Sequence, residues 1–328
     1  MSVLKDIKSF LKDKTPLASI AIAVSGGGDS MALAHGLVKA LPKTCAVHIV
    51  TVDHGLRPAA KDEAEFVKKI VSQWGENVIH ETLTCKTLKG ASSKIQEQAR
   101  AARYDLLYKY CKAHEIQALA LGHHLDDQME TFFMRLSGGS GLKGLGCMRA
   151  LSAYRDLILW RPLLNVSHED CLSYCKDHDI PWVEDPSNKD EGYERVRWRN
   201  LWPHFEAEGL SRARLQQTIT RLQGAQEVLE GAFEAAWATY ATCKGRLCQI
   251  NFDAFLSLPM ATALDMMRRA LVHVGSEKGE AARLQKLENL YCDIMDKQSS
   301  FKTKTLGGCL ISLSKDRKKL CFEKEGGK

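Results

Sequence analysis

Three absences narrow the chemistry open to this 328-residue chain. None of its 11 cysteines forms a Cys-x-x-Cys pair, and the nearest neighbours are Cys171/Cys175 and Cys243/Cys248. Cys171 and Cys175 would share a helical face, but no second pair completes a zinc site, so reduced and mostly buried thiols are expected. No apolar run approaches the roughly 20 residues that span a bilayer. The stretch Met1–Lys8 reads as the start of an amphipathic helix rather than a secretory signal, so a cytoplasmic protein with no membrane partner is expected. The third absence is a phosphate-binding lysine. A Walker A loop ends in Gly-Lys-Ser/Thr, whereas Gly28 is followed by Asp29-Ser30. The dinucleotide fingerprint fails as well, because the sixth position counted from Gly26 is Met31.

The composition is that of an ordinary globular protein, 45% hydrophobic and 26% charged, with chain enough for two domains. A net charge of +6 suits any solvated surface and by itself singles out no partner.

Residues 20–30 organise the first half. Ile20-Ala21-Ile22-Ala23-Val24 reads as a strand buried on both faces, as in parallel sheets. The turn Ser25-Gly26-Gly27-Gly28-Asp29-Ser30 follows, then a helical run from Met31 to about Ala40. Glycines let the backbone pass close to a ligand, and the helix behind them aims unpaired N–H groups and a positive dipole end at it. That suits a phosphate. A second buried strand, Cys45–Val52, ends at Asp53-His54. Ligands of doubly wound sheets sit outside the carboxyl ends of strands, so Asp53 and His54 are expected to face the same crevice. There Asp53 can accept hydrogen bonds from a ribose or an adenine amine; the alternative is that it opens a polar turn.

The alternation continues with a helix over Lys61–Gln73, a strand over Asn77–Leu83 and a helix over Ser93–His114. On the last, Glu97, Arg100 and Arg103 are spaced by three and can share a face, either as ordinary ion pairs or to reach a triphosphate. The short strand Ala118–Gly122 then delivers His123-His124-Leu125-Asp126-Asp127-Gln128-Met129-Glu130. Helix capping accounts for one aspartate, not for two histidines and three carboxylates together. Such a turn can hold Mg²⁺ or a cationic substrate. The glycine-rich stretch Ser137–Gly146 is either a flexible loop or a lid carrying Lys143.

These stretches resemble the tRNA(Ile)-lysidine synthetases, a family of pyrophosphate-loop ATP pyrophosphatases. The matching segments are Ser25–Ser30, Val52–Arg57, Glu97–Tyr104, Gly122–Thr131, Gly141–Leu145, Arg161–Leu164 and Trp182–Asn188, in the family's order. The resemblance implies an α/β fold with a doubly wound, mostly parallel sheet of the adenine nucleotide alpha-hydrolase kind. It also implies ATP and Mg²⁺, with tRNA(Ile) bearing a CAU anticodon and free L-lysine as substrates. In that reaction the O2 of the wobble cytidine attacks the α phosphate of ATP, pyrophosphate leaves, and the lysine ε-amine attacks C2 with release of AMP. Ser25, Gly26, Gly27, Gly28, Asp29 and Ser30 would hold pyrophosphate, with Asp29 placing the metal. Asp53 and His54 would complete the nucleotide site. Asp126, Asp127 and Glu130 would bind the lysine ammonium, one of them acting as base. Arg103 and Lys143 would stabilise the adenylate. Two departures stand out: Ala59-Ala60 replaces a frequent serine, and Arg195-Val196-Arg197-Trp198-Arg199-Asn200 carries Trp and Asn where the family commonly has Ile and His.

A thiolating relative is the competing enzyme, but such proteins often carry the missing Cys-x-x-Cys. A non-catalytic ATP-dependent RNA binder has no use for the clustered carboxylates.

The boundary between domains is expected near Gly209-Leu210-Ser211, giving 1–210 as catalytic and 211–328 as a smaller, mainly helical α+β domain. Arg195, Arg197, Arg199, Arg212, Arg214 and Arg221 interleave with Trp198 and Trp202, which suits either single-stranded RNA or a solvated basic face over buried tryptophans. One long helix is expected over 211–240, a strand over Arg246–Asn251, helices over Ala254–Val274 and Ala281–Asp296, and a small β element over Phe301–Phe322. The expected work of this half is to hold tRNA, with a homodimer as an open option.

Overall fold

A computed structural model describes residues 3–53, 59–85, 95–184, 190–275 and 284–325. His54 lies outside them, as does the Asp185–Asn188 end of the last matched segment. The contacts divide the chain into two units: Met1–Gly139 with Gly144–Ile219, and Ser140–Lys143 with Thr220–Lys328.

The first unit opens with α1 (Val3–Leu11), β1 (Ser19–Ala23), α2 (Gly28–Ala40), β2 (Ala46–Asp53), α3 (Ala59–Val71), β3 (Val78–Thr84), α4 (Ile95–Ala113) and β4 (Ala118–Leu121). There follow α5 (Leu125–Ser137), α6 (Leu142–Leu145), β5 (Leu151–Tyr154), β6 (Leu157–Trp160), α7 (His168–Asp177) and α8 (Glu194–Ala207). The sheet runs β3-β2-β1-β4-β6-β5. All neighbours are parallel except the β5–β6 pair. The continuous apolar strands are explained by burial on both faces. Ile20, Ile22, Val47, Ile49, Ala118 and Ala120 enter one core cluster. The alternate residues Ala21, Val50, Leu119 and Leu121 enter another, packed with Leu107 of α4. Period-two alternation thus sorts one apolar run between two layers.

The β5–β6 hairpin was not foreseen. Its strands have four residues each, joined through Arg155, which takes a φ of 57°. The stretch after α5 also holds the short helix α6, so it is not simply a loop.

The second unit begins within α9 (Arg212–Tyr240) and continues with β7 (Ala241–Lys244), β8 (Leu247–Asn251), α10 (Phe252–Ser257), α11 (Met260–Val274), α12 (Leu284–Lys297), β9 (Lys304–Leu306), β10 (Cys309–Leu313) and β11 (Lys319–Lys324). Its antiparallel sheet, β7-β8-β11-β10-β9, packs a core containing Phe255, Met266, Met267, Ile294, Ile311 and Phe322. The single helix expected over 254–274 is two helices. Pro259 has no N–H to donate and disfavours helical backbone at Leu258, so α10 ends there and Pro259 caps α11. Most of the nine free cysteines are buried, as expected of thiols. Cys243 and Cys248 depart from that expectation, being paired across the β7–β8 hairpin as a disulfide.

Candidate active site

The strand order turns back on itself beside β1, and β1 and β4 are adjacent there. Open α/β sheets bind ligands outside the carboxyl ends of strands at such a switch point. β1 runs into Ser25–Ser30 and β4 runs into His123–Glu130, so sheet topology alone brings the glycine loop beside the acidic turn.

Within the loop, Gly26 takes a φ of +88°, in the left-handed region that favours glycine, and its carbonyl accepts from the Val183 N–H at 2.9 Å. Ser30 Oγ accepts from the Ser25 N–H at 3.2 Å and donates to the Gly27 carbonyl at 2.8 Å, closing the turn on itself. Gly28 serves packing: a Cβ there would fall 2.3 Å from Leu172 Cδ2, so its absence lets α7 lie against α2.

That packing assembles three helix N-termini. α2 starts at Gly28, α5 at Leu125 and α7 at His168. The last two are tied reciprocally. The Leu125 N–H donates to the Val166 carbonyl at 2.8 Å, and the His168 N–H donates to Asp126 Oδ2 at 2.8 Å. These are donors that a helix cannot satisfy internally. The His168 side chain turns the other way, with Nδ1 2.8 Å from Asp29 Oδ1. Asp29 Oδ2 lies 3.5 Å from His124 Nε2. Burial alone would raise the Asp29 pKa, but hydrogen bonds from His124 and His168 overcome it and hold the carboxyl below its usual range.

His124 is buried and precedes α5 as its N-cap, its own N–H donating to Asp127 Oδ2 at 3.0 Å. Burial opposes charge on this imidazole, yet Asp127, Asp29 and Asp126 together push its pKa up to about 9. It is therefore an imidazolium at neutral pH. Its neighbour His123 is the reverse: burial, with Arg161, Arg100 and Arg103 nearby, pushes it down to about 3. The two adjacent histidines thus mark opposite electrostatic sides. Arg103 belongs to the cationic side, where burial and then Arg100 and Arg195 lower its own pKa.

Each carboxylate of the acidic turn carries an arginine from α8 or the start of α9. Arg195 Nη1 is 3.8 Å from Asp127 Oδ1, and Arg212 Nε donates to Asp126 Oδ1 at 3.2 Å. Arg199 places Nε at 2.9 Å and Nη2 at 2.7 Å from a single oxygen, Glu130 Oε1. Glu130 is 3% exposed, and burial raises its pKa despite that partner. Beside these pairs lies a cavity of about 190 Å³, with Met129, Phe133, Trp198, Trp202 and Pro203 as its apolar wall and Glu130, Arg199 and Arg212 as its polar one.

Asp53 closes β2 at the same edge of the sheet, its carbonyl accepting from the Cys85 N–H at 2.8 Å. Lys143 is the second residue of α6, in the short segment Ser140–Lys143 whose contacts belong to the second unit. The sequence pointed to Ser25–Ser30 and to the cluster at 123–130, and the fold brings these together. It did not point to His168, a lone histidine with no motif around it. Nor did it pair the arginines with the carboxylates. Of the two tryptophans, Trp202 is 4% exposed in a cluster with Leu125, Phe133, Leu215 and Ile219, and Trp198 stacks on Phe133 with ring centres 5.4 Å apart. Trp202 is a core residue, unavailable to an RNA base.

Magnesium is usually held by one or two carboxylates together with substrate phosphates. Asp29 fits that requirement, as an ionised, largely enclosed carboxylate beside the glycine loop. Its neighbours within 4.8 Å, His124 and His168, offer nitrogens, which suit softer ions, so the remaining oxygens would come from substrate.

A strand, glycine loop and helix at the switch point of a parallel sheet mark a nucleotide-binding α/β domain, and residues 1–205 match the PP-loop domain family, which makes it one of the PP-loop class. The chain is 37% identical over 300 residues to the tRNA(Ile)-lysidine synthase of Methylobacterium nodulans, covering 90% of this chain and 87% of that one. Against the tRNA(Ile)-lysidine synthase of Ruegeria pomeroyi it is 32% identical over 316 residues, covering 94% and 72%. The chain belongs to the tRNA(Ile)-lysidine synthase family, ligases that form a carbon–nitrogen bond. Among solved structures, a U34-tRNA thiolase from Methanococcus maripaludis aligns with a TM-score of 0.57 at 17% identity, over 67% of this chain and 78% of that one, a likeness of fold alone. Among the described residues no helix is long and apolar enough to cross a membrane.

Proposed function

We propose that this protein ligates free L-lysine to C2 of the wobble cytidine of tRNA(Ile) bearing a CAU anticodon, consuming ATP. The cytosine O2 attacks the α phosphorus and the bond to the bridging oxygen breaks, releasing pyrophosphate. The lysine ε-amine, having lost a proton, then attacks C2, and the C2–O2 bond breaks to release AMP. The observation that carries this reading is the adjacency of the two strand ends, which sets a phosphate-type loop against a carboxylate turn.

In this reading Ser25–Ser30 and the N-terminus of α2 receive the pyrophosphate, because orphan N–H groups and a dipole end favour an anion without any reorganisation. Asp29 would hold magnesium, which would supply charge neutralisation on the phosphates. Asp53 and His54 take the nucleoside side, and Arg103 and Lys143 offset charge on the adenylate. Lysine occupies the 190 Å³ cavity. Its methylenes lie along Met129, Phe133 and Trp198, its ammonium meets Glu130, and its carboxylate meets Arg199 or Arg212. Asp126 accepts from Arg212 and from the His168 N–H, contacts that orient the turn. Glu130, its pKa raised by burial, is the better proton acceptor for an amine. The second unit holds the tRNA.

The test is to incubate protein, ATP, Mg²⁺ and labelled lysine with that tRNA. Incorporation of lysine matched by AMP supports the reading, whereas turnover that needs a sulfur donor and ignores lysine contradicts it.

A further inference from the structure

We propose that His168 is a positioning residue of the adenylation step: its imidazole fixes the Asp29 carboxylate, while its backbone N–H separately fixes Asp126. The inference rests on the lysine-ligating reading above and adds to it a residue that no motif marks.

His168 stands at the first turn of α7, capped by Ser167, whose Oγ accepts from the Asp170 N–H at 3.0 Å. The cap leaves the His168 N–H to donate outward, and it meets Asp126 Oδ2 at 2.8 Å. The ring points to the glycine loop and meets Asp29 Oδ1 at 2.8 Å. It also lies 5.5 Å, centre to centre, from the His124 ring, the second donor facing Asp29. One residue therefore joins the carboxylate beside the phosphate loop to the carboxylate turn beside the lysine cavity.

The two links are chemically separable. Any residue at 168 other than proline keeps the backbone donor to Asp126. The imidazole link depends on the side chain, and the bonding atom is Nδ1, whose position an asparagine amide nitrogen reproduces and a glutamine amide nitrogen does not. Asp29 held by one imidazole instead of two can rotate away from the loop, so its hold on a metal–nucleotide pair weakens. The lysine side is untouched.

The experiment uses the full chain and His168→Ala, His168→Asn and His168→Gln. Calorimetry gives the Kd for a non-hydrolysable ATP analogue with and without Mg²⁺, and steady-state assays give the KM for lysine. His168→Ala is expected to weaken Mg²⁺-dependent nucleotide binding by about 10- to 100-fold, the effect of one charge-assisted hydrogen bond. The KM for lysine stays within about twofold, His168→Asn restores binding, and His168→Gln does not. Wild-type-like binding by His168→Ala overturns the inference. So does equal weakening with and without Mg²⁺, which would mean that the ring contacts the nucleotide itself. If the wild-type protein fails to join lysine to the tRNA, the proposed function fails, while the binding measurements on His168 still stand.

Discussion

Arg199 directs two guanidinium nitrogens, at 2.9 and 2.7 Å, to one oxygen of the buried Glu130. Removing one member of such a pair leaves the other charge uncompensated. Because the Arg199 side chain is 43% exposed and partly screened, Arg199→Ala is expected to cost about 1–2 kcal/mol in chemical denaturation. Adding Glu130→Gln to it should recover most of the loss. A double-mutant cycle with no coupling would contradict the pairing.

The buried His124 imidazolium makes stability depend on pH. Its folded pKa of about 9 lies above the ordinary value of 6.5, so its contribution is complete below pH 6.5 and disappears as pH rises through 9. The span corresponds to about 3 kcal/mol as an order of magnitude. Denaturation midpoints measured across pH 6.5–9.5 should fall in the wild type and flatten in His124→Gln. An unchanged slope in that variant is the contrary result.

Two neighbouring glycines should respond differently to alanine. Gly26 has a φ of +88°, and Gly26→Ala should cost about 1–2 kcal/mol of stability. Gly27 has a φ of −71°, and the nearest atom to an added Cβ is Ser25 Oγ at 3.7 Å. Gly27→Ala should therefore fold normally. If pyrophosphate lies over the loop, that methyl group blocks it, and Gly27→Ala loses ATP affinity without losing stability. Normal ATP binding by this variant would place the phosphates elsewhere.

Trp202 is buried among Phe133, Leu215 and Ile219, and its indole Nε1 has no hydrogen-bond partner. Trp202→Phe gives up no such bond and is expected to cost under about 1.5 kcal/mol, whereas Trp202→Ala should cost about 3–5 kcal/mol by opening a cavity. tRNA affinity of the folded Trp202→Phe protein should match the wild type. A base-stacking role would instead appear as weakened binding with stability intact.

Much of the first unit was legible because its signals are local. The run Ile20–Val24 reads as buried on two faces, and the glycine-rich turn after it marks a strand-to-helix junction that a ligand can approach closely. The carboxylates at 126, 127 and 130 exceed what capping requires. What escaped the sequence depends on tertiary pairing. Nothing near residue 168 indicates that its ring meets Asp29, 139 positions earlier. The arginines at 195, 199 and 212 read as facing either RNA or solvent because composition does not say which charge they meet. The hairpin at 151–160 has strands too short for period-two alternation to register. The break at Pro259 was visible in the sequence, but the apolar residues on either side of it read as one continuous helix.

The two strand ends divide the labour of the proposed reaction: the loop carrying Asp29 serves the nucleotide, and the turn carrying Glu130 serves the incoming amine. The most direct test of that division is to follow pyrophosphate release and lysine incorporation side by side on tRNA(Ile) in Asp29→Asn and Glu130→Gln. Asp29→Asn should lose both. Glu130→Gln should release pyrophosphate within about threefold of the wild type while lysine incorporation falls by about 100-fold or more, as for a lost general base. Equal loss of both activities in a folded Glu130→Gln protein would contradict the division.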